Sequence, residues 1–379
     1  MAPTQANLAR IVFIFSDTGG GHRSAAQAII EALELEYPNR FVTEMIDIFR
    51  EYAPPPLDLA PDIYPPLSRM PQLWELGYRV SDGPRRMRWF YNAIWPYIRS
   101  SIHRLVTENP CNLIVSVHQL TNAPVVRALR NHDVPFVTVV TDMVTTHASW
   151  YDPRADMVIV PTEAARQRGI QLGLRSENIE VVGLPVAERF CQPLGNRAAL
   201  RQQLGWSPDL PVILLVGGGE GMGPLEQVAQ AIDRLHLPAA MIIVAGRNKQ
   251  LRNRLEQTKW NIPTRIYGFV NEMPDFMQAA DILVTKAGPG TISEAFIAGL
   301  PMVLYSRMPG QEDGNVTYVT GEGAGAWASE PEAVAETVRT WIENPLELKR
   351  AADACQRLAR PQAARQIARL LASRVKDNC

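Results

Sequence analysis

Cysteine is scarce and scattered in this sequence. Cys111, Cys191, Cys355 and Cys379 form no Cys-x-x-Cys pair, and no histidine lies near them at ligand spacing. This distribution indicates neither a disulfide framework nor a zinc site. We therefore expect a protein of the reducing cytoplasm.

An excess of charge of one sign is also missing. The 38 Lys and Arg residues are balanced by 39 Asp and Glu residues, for a formal net charge of −1. Binding to a nucleic-acid backbone calls for a basic face or domain, so nucleic acid is not an expected partner. The composition, 46% hydrophobic and 20% charged, is that of an ordinary globular protein, and 379 residues are enough for two domains.

No long apolar run stands near the N-terminus. About ten residues precede the first apolar run, Ile11–Phe15. They are too few for a signal peptide, a membrane span or an organelle transit peptide. We expect no targeting segment.

Short apolar runs alternate with helical patterns along the chain and predict an α/β fold. Strands that are apolar on both faces indicate parallel sheets covered by helices on both sides. The alternation restarts at Val212, where a second apolar run precedes a glycine turn as Ile11–Phe15 does. The predicted strands are Ile11–Phe15, Leu113–Val117, Phe136–Thr141, Met157–Val160, Val181–Val182, Val212–Val216, Ala240–Ala245, Ile282–Val284 and Met302–Tyr305.

The restart predicts two doubly wound domains, 1–190 and 191–379. We place the junction between Pro185 and Asn196, and ligands at the carboxyl ends of both sheets, in the cleft between the domains. The pattern leaves open which domain the last helices, Pro345–Val375, pack on.

A basic and aromatic insertion interrupts the alternation between residues 53 and 104. It begins with a proline-rich loop, which cannot be a regular helix or a central strand. Seven arginines and seven aromatic residues then follow, opposed by only Glu75 and Asp82. Such a composition suits an anionic lipid surface, where each cation contributes roughly 1 kcal/mol. An insertion packed on its own domain, with its arginines extending to solvent, explains the composition equally well.

The stretch from Thr285 to Asn315 predicts a sugar-nucleotide site. A strand runs into the glycine-rich turn Gly288-Pro289-Gly290 and then a helix from Thr291, so backbone N–H groups and the positive helix end converge where a phosphate would bind. Lys286 either neutralises a diphosphate or only solvates the loop. Glu294 lies one helical turn after Thr291 and either accepts bonds from ribose hydroxyls or forms a capping box with Thr291. Further along, Gln311, Glu312 and Asn315 supply the donors and acceptors that grip hydroxyl groups.

His22 follows the first glycine turn, Gly19-Gly20-Gly21. Imidazole is the usual side chain for removing a proton from an alcohol near neutral pH, so His22 is a candidate general base. The alternative is that it caps its helix or bonds a neighbouring carboxylate. Asp142, after another strand, either orients His22 or is a plain turn aspartate. We expect His118 to be structural.

The second glycine turn, Gly217–Gly223, does not predict dinucleotide binding. It lacks the G-x-G-x-x-G register, and the next strand ends at Arg247 rather than at an acidic residue that would hold a ribose of NAD. NADP bound through Arg247 is a weaker interpretation, because no hydride-transfer residues accompany it.

Five motifs, taken together, resemble the monogalactosyldiacylglycerol synthases, relatives of the enzyme that adds N-acetylglucosamine to the peptidoglycan lipid intermediate. The match runs in order from Ile11 to about Val319. The motifs are Ser16-Asp-Thr-Gly-Gly-Gly-His-Arg23, Gly217-Gly-Gly-Glu-Gly-Met-Gly223, Gly246-Arg-Asn248, Lys286-Ala-Gly-Pro-Gly-Thr291 and Pro309-Gly-Gln-Glu312 with Gly314-Asn315.

This resemblance implies a GT-B fold of two Rossmann-like domains and the inverting transfer of a hexose from a UDP-sugar to diacylglycerol, with galactose favoured over glucose. It implies that His22 is the base and that the basic and aromatic insertion contacts acceptor and membrane. The donor residues implied, or inferred from the glycine turns, are Gly20, Gly21, Gly218, Gly219, Arg247, Phe269, Val270, Lys286, Gly288, Pro289, Gly290, Thr291, Glu294, Gln311, Glu312 and Asn315; the membrane or acceptor residues are Arg85, Arg86, Arg88, Trp89, Trp95 and Trp150.

The chain departs from the plant pattern because it lacks a plastid extension, which implies a bacterial cytoplasmic protein on the inner face of the cell membrane. The insertion matches only loosely. We expect no cofactor and metal-independent turnover, because no Asp-x-Asp pair stands where a metal would bridge the diphosphate and fixed donors can replace it. Three alternatives remain: another lipid or lipid-linked acceptor, a UDP-sugar epimerase of the same fold, and a binding module without activity.

Overall fold

Two parallel six-stranded sheets form the framework of this computed structural model, which describes residues 8–376 except 19, 64–69, 194, 220 and 222. Each sheet belongs to its own compact unit. Over the described residues, the first unit comprises residues 8–188, 308–311 and 362–376, and the second comprises residues 189–307 and 312–361.

The first sheet has the strand order β2-β1-β3-β4-β5-β6. The chain leaves β1 for β2 on one side and later adds β3 on the other side of β1. At such a reversal the loops after the two central strands diverge and leave room for a ligand. The strands are β1 (Ala9–Phe15), β2 (Phe41–Asp47), β3 (Leu113–Ser116), β4 (Phe136–Val139), β5 (Met157–Val160) and β6 (Ile179–Val181).

The second sheet repeats this arrangement with the order β12-β11-β10-β7-β8-β9. The strand order reverses between β7 and β10. The glycine turns after these two strands therefore lie side by side at the carboxyl ends of the strands. The strands are β7 (Val212–Val216), β8 (Ala240–Val244), β9 (Thr264–Tyr267), β10 (Ile282–Lys286), β11 (Met302–Ser306) and β12 (Gly325–Trp327).

Each of the nine apolar runs overlaps a strand, although Val181–Val182 shares only Val181 with β6, and the predicted α/β class with two doubly wound sheets is confirmed. Sequence reasoning missed β2, β9 and β12. Each of the three lies at the edge of its sheet and is largely half-buried. Polar residues interrupt the apolar pattern of β2 and β9, and β12 is only three residues long, Gly325–Trp327.

Helices pack against the faces of each sheet. In the first unit they are α1 (Gly20–Glu36), α2 (Ile48–Glu51), α3 (Pro71–Ser81), α4 (Pro84–Glu108), α5 (Asn122–Ala128), α6 (Glu163–Gln171) and α15 (Ala363–Ala372). In the second unit they are α7 (Arg197–Gln203), α8 (Leu225–Asp233), α9 (Lys249–Gln257), α10 (Met273–Ala279), α11 (Pro289–Ala298), α12 (Asp313–Gly321), α13 (Pro331–Glu343) and α14 (Pro345–Leu358).

The final helix, α15, packs on α1 in the first unit, which differs from the predicted division at residue 190. Ile367 and Leu371 are fully buried in the same apolar cluster as the inner face of α1. Glu36 of α1 pairs with Arg365 at 3.0 Å and with Arg369 at 2.6 Å. An apolar face flanked by these ion pairs explains why the chain returns to the first unit.

The basic and aromatic insertion folds mainly as α3 and α4. Ile98, Ile102 and Leu105 on the inner face of α4 are buried in the core of the first unit. Within the described residues, no helix has both the length and the apolar character needed to span a bilayer.

Candidate functional site

His22 lies in the first turn of α1, beside the reversal point of the first sheet. Its Nδ1 is 2.8 Å from the carbonyl oxygen of Val117, the first residue after β3. A carbonyl only accepts, so Nδ1 carries the ring hydrogen and Nε2 holds a lone pair. The Thr141 hydroxyl lies 3.0 Å from the same Nδ1. The imidazole is therefore held in the tautomer that a general base needs.

The surroundings of His22 favour its neutral form. Desolvation lowers the pKa of His22 to about 4, although the bond to Val117 opposes the shift. The His118 ring meets His22 edge to face, with centroids 4.6 Å apart. At neutral pH the imidazole is thus unprotonated.

His118, which sequence reasoning assigned to structure, holds the residue before the first glycine turn. Its Nδ1 accepts a hydrogen bond from the Leu120 N–H at 3.4 Å, so its Nε2 donates to the Thr18 hydroxyl at 2.9 Å. The available signal was the position of His118 directly after a predicted strand. Gly19 lies outside the described residues; Gly20 begins α1, and a Cβ on Gly21 would meet no atom within 4 Å. This part of the turn is open to an approaching ligand.

The structure corrects the expectation that Asp142 orients His22. The Asp142 carboxylate accepts hydrogen bonds from the Trp150 indole at 2.7 Å and from the Gln311 amide at 2.9 Å. Among the described residues, Val117 and Thr141 take the position at His22 Nδ1 that was expected for Asp142.

In the second unit, the turn after β10 presents the N-terminus of α11. The helix begins at Pro289, with Gly288 as N-cap. Proline at the first helical position has no N–H to leave unpaired, and the next two amides, of Gly290 and Thr291, have no acceptor within the helix. A Cβ on Gly290 would meet nothing within 4 Å. These amides and the helix dipole form a site suited to a phosphate.

Glu294 does not form a capping box with Thr291, because α11 starts two residues before Thr291. Desolvation raises the pKa of Glu294 to about 8, although Arg189 opposes the shift. The carboxyl is therefore mostly protonated at neutral pH in the ligand-free protein.

Lys286, Glu312 and Asn315 lie against the same turn. Lys286 Nζ is 2.9 Å from the buried Glu312 carboxylate. A Cβ on Gly288 would be 3.3 Å from Lys286 Nζ. The Asn315 amide nitrogen donates to the Ala287 carbonyl at 2.9 Å, and Oδ1 of Asn315 is buried without a hydrogen-bond donor among the described residues. Ammonium, carboxylate and carboxamide groups thus converge beside the phosphate-type turn.

The glycine turn after β7 packs backbone to backbone against the loop after β8. Arg247 N–H donates to the Gly219 carbonyl at 2.8 Å. Gly246 has φ +61°, and a Cβ there would lie directly against the carbonyl oxygens of Gly218 and Gly219. Only glycine allows this approach. It places the guanidinium of Arg247 over the Phe269 ring, 4.6 Å from the centroid.

The predicted donor residues of the second unit therefore follow neighbouring strands. Gly218 and Gly219 follow β7, Arg247 follows β8, and Lys286 ends β10. A Cβ on Gly218 would be 3.5 Å from Lys286 Cε, and one on Gly219 would be 3.3 Å from the Arg247 guanidinium. Phe269 follows β9 and is 55% exposed, with Val270 half-buried beside it.

Predicted membrane residues divide into exposed and buried groups. Arg85, Arg88 and Trp89 are exposed on α4, with Trp89 at 73%. Arg86 donates to the carbonyls of Arg79, Val80 and Asp82 and so caps the end of α3.

Trp95 and Trp150 lie farther from solvent. Trp95 is half-buried, with the Arg127 guanidinium 4.3 Å from its ring centroid. Trp150 is fully buried, which corrects its assignment to a membrane surface. Its indole N–H is used by Asp142.

Within the described ranges, no group of three or more His, Cys, Asp or Glu side chains is arranged to hold a metal ion. Groups of the second unit that can stabilise an anion include the amides of Gly290 and Thr291 and the side chains of Lys286 and Arg247.

Comparison with known proteins matches both halves of the chain. The monogalactosyldiacylglycerol synthase family model matches residues 22–186, and the model of the glycosyltransferase family 28 C-terminal domain matches residues 212–367. Among solved structures, MurG from Acinetobacter baumannii has a TM-score of 0.65 at 17% identity, covering 96% of this chain and 99% of its own. The UDP-GlcNAc 2-epimerase from Neisseria meningitidis, solved with UDP-GlcNAc, has a TM-score of 0.63 at 14% identity, over 96% of this chain and all of its own. These structures confirm the expected GT-B fold.

Similarity to curated relatives extends over most of the sequence. A probable monogalactosyldiacylglycerol synthase 2 of rice, Oryza sativa subsp. japonica, is 37% identical over 93% of this chain and 78% of its own length. Monogalactosyldiacylglycerol synthase 1 of Arabidopsis thaliana is 34% identical over 94% of this chain and 69% of its own. Both relatives are named as chloroplastic. Identity at this level over this length confirms the resemblance seen in the five motifs, and the chain belongs to the monogalactosyldiacylglycerol synthase family of glycosyltransferases.

Proposed function

We propose that the chain transfers galactose from UDP-galactose to the free hydroxyl of 1,2-diacylglycerol, with inversion at the anomeric carbon. The observation that carries this proposal is the state of His22: neutral, with Nδ1 bound to Val117 and a lone pair on Nε2. The names of the curated relatives support the choice of sugar and acceptor.

The proposed reaction is a single displacement. The acceptor oxygen attacks C1 of the hexose while the bond between C1 and the diphosphate oxygen breaks. The acceptor proton passes to Nε2 of His22, and the bonding electrons leave with UDP. Attack opposite the leaving group inverts the configuration at C1.

The leaving diphosphate gains negative charge, which the second unit is equipped to stabilise. The Gly290 and Thr291 amides, Lys286 and Arg247 supply fixed donors and positive charge. We propose that these groups suffice without a metal ion. Turnover should then persist in excess EDTA; a loss that added Mg²⁺ restores would contradict this part of the proposal.

Further contacts to the UDP-sugar are proposed from the chemical character of the side chains. Phe269 and the Val270 backbone suit a uracil ring, Glu294 suits ribose hydroxyls, and Gln311 with Glu312 and Asn315 suits the hexose.

The exposed face of α4 is proposed as the membrane contact. Arg85, Arg88 and Trp89 project from one side of the helix, and Leu73, Leu76 and Val80 are exposed on neighbouring α3. Exposed cations beside apolar side chains favour an anionic bilayer surface. We propose peripheral attachment to an anionic membrane surface.

The deciding experiment supplies diacylglycerol vesicles with labelled UDP-galactose or UDP-glucose and identifies the lipid product and its anomeric configuration. We expect β-linked monogalactosyldiacylglycerol, since the donor is α-linked. Transfer to ceramide or a polyprenyl lipid but not to diacylglycerol would identify another acceptor. Epimerised UDP-sugar formed without any acceptor would overturn the transferase assignment.

A further inference from the structure

Asp142 is buried, and each of its carboxylate oxygens accepts a side-chain hydrogen bond. One oxygen accepts from the Trp150 indole at 2.7 Å and the other from the Gln311 amide nitrogen at 2.9 Å. Asp142 is only 4% exposed and Trp150 is fully buried. The carboxylate is thus anchored by the core on one side and faces Gln311 on the other.

This contact determines which way the Gln311 carboxamide points. A carboxylate only accepts hydrogen bonds, so the amide nitrogen must face Asp142 and the amide oxygen must face away from it. The free energy of a charge-assisted bond of this kind opposes rotation of the amide.

The backbone that carries Gln311 is held as well. Gly310 has φ +83°, and a Cβ there would be 3.2 Å from the Tyr78 ring. The Tyr78 hydroxyl donates to the Thr145 carbonyl at 3.1 Å, which fixes the ring. Asp142 and Tyr78 therefore restrain the Gln311 side chain and the preceding backbone independently.

We propose that Asp142 is a positioning residue for recognition of the donor sugar: it holds the Gln311 amide oxygen as a fixed acceptor for one hexose hydroxyl. The inference rests on the proposed function, in which Gln311 contacts the hexose. A fixed acceptor distinguishes sugars whose hydroxyls point in different directions, whereas a carboxamide free to rotate would serve either. Asp142 thus acts on sugar discrimination through Gln311, and not on proton transfer through His22.

Asp142→Asn tests this directly. The Trp150 N–H still requires an acceptor, so the new amide turns its oxygen to Trp150 and its nitrogen to Gln311. The Gln311 amide must then rotate and turn its nitrogen toward the sugar. We expect affinity for the preferred UDP-hexose to fall about tenfold, the size of one lost hydrogen bond. Affinity for UDP alone and the His22 limb of the pH profile should not change.

Exchanging the carboxylate and the carboxamide between positions 142 and 311 should restore sugar binding. In Asp142→Asn combined with Gln311→Glu, the amide introduced at position 142 donates to one oxygen of the carboxylate introduced at position 311, and the other oxygen again faces the sugar. The double variant should recover affinity and the preference between UDP-galactose and UDP-glucose. Gln311→Glu alone sets two carboxylates against each other and should bind the sugar less well than the double variant.

Gln311→Met covers the case in which Asp142→Asn fails to fold, because it leaves Asp142 and Trp150 intact. It should lose the sugar preference. Full preference in Gln311→Met, equal loss of UDP and UDP-hexose affinity in Asp142→Asn, or absence of rescue would each overturn the proposal. UDP-hexose binding measured without acceptor distinguishes failure of the Asp142 proposal from failure of the proposed function. A wild-type protein that binds no UDP-hexose contradicts the proposed function itself.

Discussion

His22 and Val117 are joined by a hydrogen bond of 2.8 Å between the imidazole Nδ1 and a backbone carbonyl. Here a backbone carbonyl is the hydrogen-bond acceptor for the imidazole, a role that an aspartate carboxylate has in many catalytic triads. Because Val117 N–H donates to the Ile14 carbonyl at 3.0 Å, the acceptor is itself fixed to β1. The tautomer of His22 is therefore set by a carbonyl fixed to the sheet, and the Thr141 hydroxyl at 3.0 Å is compatible with it because a hydroxyl can also accept.

Replacing His22 by alanine should reduce kcat by about 10²- to 10⁴-fold, the usual contribution of a general base. UDP-hexose affinity should change little, because the donor groups are other residues. The measurement is steady-state transfer to diacylglycerol with a melting curve for each protein. His132→Ala, at an exposed histidine, is the matched control and should keep full activity. Near-normal turnover of folded His22→Ala would reject the base assignment.

The pH dependence of kcat, measured at saturating UDP-hexose, should lack an ordinary histidine limb. The base must be unprotonated, and desolvation lowers the pKa of His22 to about 4, below the usual 6.5. Activity should stay level as the pH falls from 8 to about 5 and decline only on approach to about 4. The diphosphate of a UDP-sugar has no titration of its own in this range. A limb near 6.5 that persists with a folded protein would show that His22 is solvated.

Affinity for UDP-hexose should increase with pH below 8. Glu294 has a raised pKa of about 8 in the ligand-free protein, and ribose hydroxyls that donate to it favour the ionised form, so binding releases a proton. The expected increase is up to about tenfold per pH unit, with a plateau above 8. Calorimetric titration in two buffers measures both affinity and proton release. Glu294→Gln should remove the dependence and exposed Glu322→Gln should keep it; a flat wild-type profile would contradict the assignment.

Gly246→Ala should destabilise the second unit. The left-handed backbone alone costs roughly 1–3 kcal/mol, and the added methyl group meets the carbonyls of Gly218 and Gly219. Urea denaturation measures the loss, and UDP affinity should fall with it because Arg247 moves. Gly321→Ala at the end of α12, where a Cβ meets nothing within 4 Å, is the control and should be neutral or slightly stabilising. Equal stability of the two variants would show that the two loops separate easily.

Arg85→Gln with Arg88→Gln should weaken binding to anionic vesicles about 30-fold, since each cation contributes roughly 1 kcal/mol near such a surface. Flotation with vesicles of increasing anionic lipid content measures the effect, which should shrink at high salt. Arg130→Gln, at an exposed arginine of the same unit, should have no effect. Equal binding of all variants would indicate that α4 does not face the membrane.

The apolar runs were sufficient to predict both sheets, because central strands buried on both faces admit almost only apolar residues. The edge strands β2 and β9 were missed because a partly exposed strand tolerates polar residues, and β12 was missed because it has only three residues. The position of α15 could not be read from its own pattern. An amphipathic helix specifies that one face is buried but not which core buries it.

The residues of the candidate site also fall into those that the sequence predicted and those that only the structure shows. Glycine turns after strands, a histidine after one turn and carboxamides after another were visible in the sequence, because residue type and position along the chain were enough to indicate them. Val117 could not be found, since any residue supplies a carbonyl and only the fold brings that carbonyl to His22. The pairing of Asp142 with Gln311 was equally inaccessible, because it joins residues far apart in the chain. The burial of Trp150 depends on the core that packs around it.

The sequence by itself determined the family, the two α/β domains and the residue types available for binding and proton transfer. Only the tertiary structure decided the tautomer of His22, the protonation of Glu294 and the partner of Asp142. The reason is physical: local pattern sets which groups are present at a sheet edge, whereas hydrogen-bond geometry and desolvation depend on what the rest of the chain places around them.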